Sequence, residues 1–330
     1  MMWNVPIRPP LPVVDGVGPT RLRLPWSGPW ATATVGEYVA QRFSHLDPRE
    51  VRRRFVDGGF VDDDGAPVPH DAPLTTCQCV WYRRELPDEA PLPFREEILH
   101  ADDDLVVVDK PHFLPTTPSG RFLRQTALVR LRVRLGNPDL TPIHRLDRPT
   151  AGLVLFSARP ATRGAYQSMF EQRAVRKEYE AVSALPPGWD PAAPVLAGHP
   201  LPHVHRSRIV SRRGELRVRT DQPGAPNAET TITPLGTGVS AAGRPVLHTM
   251  LSPRTGRQHQ LRVHLAVLGA GILGDRRYPE LLPDAPDDHA LPLQLLARSL
   301  EFTDPLSGRA RRFATRRTLA EAPVRRGPAD

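Results

Sequence analysis

Lysine is nearly missing from this 330-residue chain: of 44 basic residues only Lys110 and Lys177 are lysine, and arginine supplies the rest. Such a taste for arginine raises the charge without requiring any partner. The formal charge of +8 therefore points toward a polyanion without establishing one. The two lysines, in DKP at Asp109 to Pro111 and RKEY at Arg176 to Tyr179, mark places where a compact ammonium is wanted. Cysteine is also scarce. Cys77 and Cys79 stand in a C-x-C spacing that suits neither an intramolecular disulfide nor a zinc site, so both read as strand residues. No apolar run approaches the roughly 20 residues needed to span a bilayer, and no basic start leads into a signal-length apolar stretch. The expectation is a soluble, cytoplasmic protein with no membrane partner. Gly-rich phosphate loop, Ser-His-Asp elbow, HExxH and nucleotide fingerprint are all missing, which removes the commonest hydrolase and nucleotide-binding readings.

What is present fits a folded chain: 39% apolar residues, and 39 prolines that favour extended connections over long helices. The organisation reads as an irregular N-terminal arm over 1–30, a small module over 31–85, a proline-punctuated acidic linker over 86–96, a large domain over 97–321 and a disordered tail over 322–330. In the small module VGEYVAQRFSHL has helical spacing, and Asp47-Pro48 opens a second helix that the pair Gly58-Gly59 closes. A short hairpin follows. The aspartates 102–104 read as a turn before the buried strand Leu105 to Val108, and Arg124 to Leu135 and Ala161 to Arg173 read as helices. The half from His203 onward is sheet-rich, with a helix in TGRQHQLRVHLAVLG and a last strand in LQLLARSLEF. His199, His203 and His205 lie close together but lack a carboxylate or cysteine at ligand spacing, so no metal is expected there.

Three segments carry chemistry. HRLDRPTAGLVLFS, from His144 to Ser157, sets Asp147 between Arg145 and Arg148 just before an apolar strand. A carboxylate beside guanidinium groups stays ionised, which suits a nucleophile or an electrostatic stabiliser better than a general acid. Taken alone, the ten residues HRLDRPTAGL are explained more simply by an ordinary structural ion pair. The second and third segments are Lys177-Glu178-Tyr179 and Thr255-Gly256-Arg257 through His264, with Ile272-Leu273-Gly274-Asp275 and Tyr278 beyond.

In this order the segments resemble the RluA-type family of RNA pseudouridine synthases over about residues 95 to 315. The resemblance implies an α+β fold, a mixed and largely antiparallel sheet with a central catalytic cleft. The two short helices and hairpin of the small module resemble an S4-type RNA-binding domain, in which Arg49, Arg52, Arg53 and Arg54 would meet phosphates. A solvated helix face accounts for those arginines as well. By the resemblance Asp147 is the catalytic aspartate, Tyr179 packs on the base and is a candidate for proton transfer, and Arg262 pairs with the aspartate. Arg145 enters the RNA stack where the uridine has flipped out, and Lys177, Arg257, His259 and Gln260, with Arg53 of the small module, contact RNA. No cofactor or metal is implied. Leu146, Leu153 and Leu261 are expected to dry the pocket. Two departures stand out: Ala151 where many members have Ser, and Leu296 where the family often has His. The implied partner is ribosomal or transfer RNA, with ribosomal RNA slightly favoured, and a monomer is expected. The competing readings are a non-catalytic RNA-binding or ribosome-assembly protein and, more weakly, a nucleosidase, which the single carboxylate of these motifs disfavours.

Overall fold

The computed structural model describes residues 9–25, 27–30, 32–86, 88–212 and 214–323. The chain forms two compact units, one ending at Glu89 and the other beginning at Ala90. In the first, β1 (Thr20–Arg23), α1 (Val35–Arg42), α2 (Pro48–Val56), β2 (Phe60–Val61) and β3 (Cys79–Tyr82) follow in chain order. Thr34 and Glu37 close a reciprocal capping box at the start of α1, and Asp47 caps α2 with Pro48 in its first turn. Val35, Val39, Val51 and Phe55 pack with Phe60, Val80 and Tyr82 into one core beneath a sheet ordered β1-β3-β2.

The expectation of an irregular arm over 1–30 is corrected here. Thr20–Arg23 pairs antiparallel with all of β3, because Leu22 alternates with arginines and turns its apolar side inward. Residues 1–8 of that arm and 324–330 of the expected tail lie outside the described residues. Arg54 is also reassigned, since Glu50 and Glu85 take its guanidinium and leave Arg49, Arg52 and Arg53 as the exposed basic face.

The second unit contains β4 (Glu97–Ala101), β5 (Leu105–Lys110), α3 (Ala127–Leu135), β6 (Thr141–Pro142), β7 (Ala151–Ser157), α4 (Pro160–Glu171) and β8 (Arg176–Ala184). After these come β9 (Val195–Leu196), β10 (His199–Pro200), β11 (His203–Ser207), β12 (Ala228–Val239), β13 (Pro245–Pro253), α5 (Gln260–Val267), β14 (Leu295–Thr303) and β15 (Ala310–Ala314). Ten of the strands form one sheet ordered β11-β12-β13-β8-β14-β7-β5-β4, with β15 on β14 and β6 on β7. All its pairings are antiparallel except β14 with β7.

Both faces of β5 and β7 are covered, which explains their unbroken apolar runs. Val106, Val108, Val154 and Phe156 turn toward α3, while Leu105, Val107, Leu153 and Leu155 turn toward α4. Leu153 therefore lies on the far side of the sheet and does not dry the cleft, as Leu146 and Leu261 do. β14 is not the last strand: β15 adds a hairpin in which Phe313 faces the core and the half-buried Arg311 on the same face pairs with Asp304. Between β11 and β12 the described residues hold only isolated bridges, from Arg208 to Asp221 and from Val210 to Arg219.

Candidate active site

The parallel contact between β7 and β14 spans only Ala151 and Gly152 against Leu296 and Ala297. Gly152 has φ of +108°, and a Cβ there would stand 2.3 Å from the Ala297 carbonyl oxygen. Glycine is thus required where the two strands meet. The loop 144–150 feeds β7 at this seam and is pinned along its length. The Leu155 amide donates to Nε2 of His144, whose ring stacks on Phe170 at 4.7 Å. Burial pushes His144 down to about 3, so the ring is neutral. The Thr116 hydroxyl donates to the Leu146 carbonyl and accepts from the Leu146 amide. Lys110 is fully buried, and its ammonium donates to the carbonyls of Pro111, Leu114 and Arg148 at 3.0, 2.8 and 3.3 Å. That burial lowers Lys110 to about 7. The scarce lysine thus ties the end of β5 to the loop that carries Asp147.

Asp147 faces a cleft of about 1380 Å³, larger than a small-molecule pocket. Its Oδ2 accepts from Nη1 of Arg262 at 3.1 Å, and Arg262 donates Nε and Nη2 to Asp275 at 2.8 and 2.6 Å. The side chains are 25% exposed for Asp147, 3% for Arg262 and 0% for Asp275, so Asp147 is the end of this network that opens to the cleft. Asp275 is held in turn by the amides of Arg277 and Tyr278, and the Tyr278 ring lies 5.4 Å from the Arg262 guanidinium carbon. His259 caps α5 in the left-handed region. Its Nε2 accepts from Arg277 at 3.2 Å, which places the proton on Nδ1, facing the Tyr278 hydroxyl at 3.0 Å. Burial pushes His259 down to about 4, so the approach of its Nε2 to Asp147 at 3.8 Å joins a neutral ring to a carboxylate and is no ion pair. Tyr179, on β8, packs against the core clusters on both sides of the seam. Burial, then the Asp147 charge, raises its hydroxyl above the usual phenol range, so it stays protonated at neutral pH and is free to donate a hydrogen bond. Among the described residues no group of three or more His, Cys, Asp or Glu is placed to hold a metal, and no helix is long and apolar enough to cross a membrane.

Residues 104–267 match the family model of RNA pseudouridylate synthases. The dual-specificity RNA pseudouridine synthase RluA of Salmonella typhimurium is 32% identical over 224 residues, 66% of this chain and 90% of that protein. The chain belongs to the RluA-type family of RNA pseudouridine synthases. An uncharacterised RNA pseudouridine synthase of Synechocystis is 29% identical over 73% of this chain and 78% of its own length. The solved human RNA pseudouridylate synthase domain containing 1 matches 69% of this chain and 85% of that chain with a TM-score of 0.52 at 25% identity. The protein is an RNA pseudouridine synthase, an isomerase that converts uridine to pseudouridine.

In this pseudouridine synthase Asp147, Tyr179 and Arg262 line one cleft although the chain sets them 32 and 83 residues apart in turn. Arg145 and Arg257 are exposed at the cleft, Arg257 with its Nε on the Asn227 carbonyl. Lys177 is mostly buried beside them, donates to the Thr255 carbonyl at 3.3 Å and is lowered by desolvation. Gln260 is expected to contact RNA, but the structure turns its side chain inward. It is 4% exposed, and its amide is consumed by the Thr255 hydroxyl, the Arg257 amide, the Glu229 carbonyl and the Thr230 hydroxyl, so it shapes the TGR turn from within. His259, 6% exposed, likewise supports the site rather than its surface. Nor do Arg145 and Arg148 supply the charge beside Asp147: Arg148 goes to Asp287, and the partner is Arg262. Asp275 and Tyr278 are supports that motif reading left without roles, and the structure sets His259 among them. The two departures prove to be neighbours, since Ala151 pairs with Leu296 and both sit in one apolar cluster with Val182, Val246 and Leu319.

Proposed function

We propose that Asp147 is the nucleophile of the isomerisation and that it acts on a uridine flipped out of structured RNA. The observation that carries this reading is the Asp147–Arg262–Asp275 network, which presents one carboxylate to a cleft and buries everything behind it. Attack on the uridine or its ribose lets the N1–C1′ bond break. The base turns in place, the C5–C1′ bond forms as the bond to Asp147 breaks, and the proton that C5 gives up balances the one that N1 gains. The Tyr179 hydroxyl, held protonated, packs on the base and donates rather than accepts. A uridine inside a stem cannot reach Asp147, so flipping follows from the depth of the site, at a cost of a few kcal/mol. Arg145 fills the space that the base leaves, and Arg257 and Lys177 meet the backbone.

The relative from Salmonella is named dual-specificity. For this chain we favour ribosomal RNA ahead of transfer RNA, with the exposed Arg49, Arg52 and Arg53 of the first unit adding a second contact to a large folded target. All three proposed catalytic side chains come from one chain, which supports a monomer. A pseudouridine map of ribosomal and transfer RNA from cells with and without the gene tests this reading. Loss of one site or a small set names the substrate, and an unchanged map contradicts it.

A further inference from the structure

Segment 280–291 runs along the cleft wall, without regular secondary structure from 281 to 288. It carries Glu280, Asp284, Asp287 and Asp288 and, beyond His289, no basic residue. Four carboxylates are the wrong charge for a wall that a polyanion must pass. The strap is nevertheless tied to the basic side of the cleft. Arg148, next to Asp147, donates Nη1 and Nη2 to Asp287 at 2.7 and 2.5 Å. Its guanidinium also lies 5.8 Å from the Phe113 ring and 5.1 Å from the Phe122 ring, both of which line the cleft. Arg276 donates to the Pro283 carbonyl at 2.5 Å, and the His289 ring packs 4.9 Å from Phe94 and 5.0 Å from Phe113.

We propose that Asp287 holds on Arg148 the place that an RNA phosphate takes in the substrate complex, so that the strap closes the cleft at rest and RNA releases it. The proposal rests on the RNA-modifying reading of this cleft. A guanidinium fork accepts carboxylate and phosphate with the same two-pronged geometry, so the exchange leaves Arg148 satisfied throughout. Arg148 and Asp287 are 29% and 18% exposed, within reach of an incoming strand. Partly exposed ion pairs are weak, and a polyanion that makes several contacts at once outcompetes one carboxylate. Apparent affinity is then the intrinsic affinity reduced by the fraction of molecules with an open strap. Short or unstructured RNA, with fewer contacts, gains less from the exchange, and the strap becomes a filter.

Fluorescence anisotropy with labelled bulk transfer RNA at fixed salt tests this on the full chain. Asp287→Asn should tighten binding about fivefold or more, by raising the open fraction. Asp284→Asn removes the same charge from the same strap at a residue with no partner among the described residues, and should change affinity by no more than about twofold. Equal effects of the two variants, or weaker binding by Asp287→Asn, would overturn the strap proposal. In the unaltered protein, hydrogen exchange of amides 281–288 should speed up when RNA is added. Slower exchange there would make the strap part of the binding surface and the proposal wrong. If the unaltered protein forms pseudouridine while either result fails, only the strap falls. If it neither binds RNA nor forms pseudouridine, the reading of the cleft falls and the strap with it.

Discussion

Arg262 is the residue on which the site turns. Nearly all of it is buried, and it stays charged because Asp275 neutralises it from behind while Asp147 meets it from the cleft. Asp275→Asn leaves a buried guanidinium facing a neutral amide, so we expect a loss of about 3–5 kcal/mol in urea unfolding, together with loss of turnover as Arg262 no longer fixes Asp147. The motifs made Asp147, Tyr179 and Arg262 legible because each stands inside a dense, ordered pattern. Asp275 stood in such a pattern too, but its role depends on a turn that returns to Arg262 from 13 residues away, and no local spacing announces that. Sequence neighbours misled in the opposite sense. Asp147 lies between two arginines in the chain, yet the turn closed by its carbonyl and the Thr150 amide sends Arg148 elsewhere.

At the scale of elements, the seam between β7 and β14 sets how Asp147 is presented. Gly152→Ala drives a Cβ into the Ala297 backbone, which cannot step aside as a flexible side chain would. We expect destabilisation of about 3 kcal/mol or more by urea unfolding, with activity lost as the loop shifts. The adjacent pair Ala151 and Leu296 behaves as a unit. Leu296→His alone buries an unpartnered imidazole, and Ala151→Ser beside it offers a partner. A double-mutant cycle should therefore give a favourable coupling of about 1 kcal/mol, and additive losses would show that the two positions are independent. Strands with strong apolar runs, such as AGLVLFS, were visible in the sequence, as were α1 through its helical spacing and α2 through its cap. β1 and β15 were not, because each is short, carries two arginines and has a single large apolar residue, Leu22 or Phe313, facing inward.

Across the whole molecule, His112, His144, His259 and His264 are held neutral by burial, with pKa values pushed down to about 4, 3, 4 and 3. An unfolded chain takes up protons on all four near pH 6.5, whereas the native chain does so only well below that. Stability is therefore full above about pH 6.5 and falls as pH drops toward 4, by up to about 1.4 kcal/mol per unit for each histidine. Urea midpoints at about pH 7.5 and about pH 5 should differ strongly, and equal midpoints would mean that the histidines are not buried as described. Three distant segments meet at Asp147, the proposed nucleophile of this RNA isomerase. The direct measurement is nucleoside analysis of RNA treated with purified full-length protein or its Asp147→Asn variant, alongside RNA affinity. We expect pseudouridine from the first and none from the variant, with affinity unchanged within about threefold because phosphate contacts dominate binding. Turnover by Asp147→Asn at the unaltered rate would contradict the account.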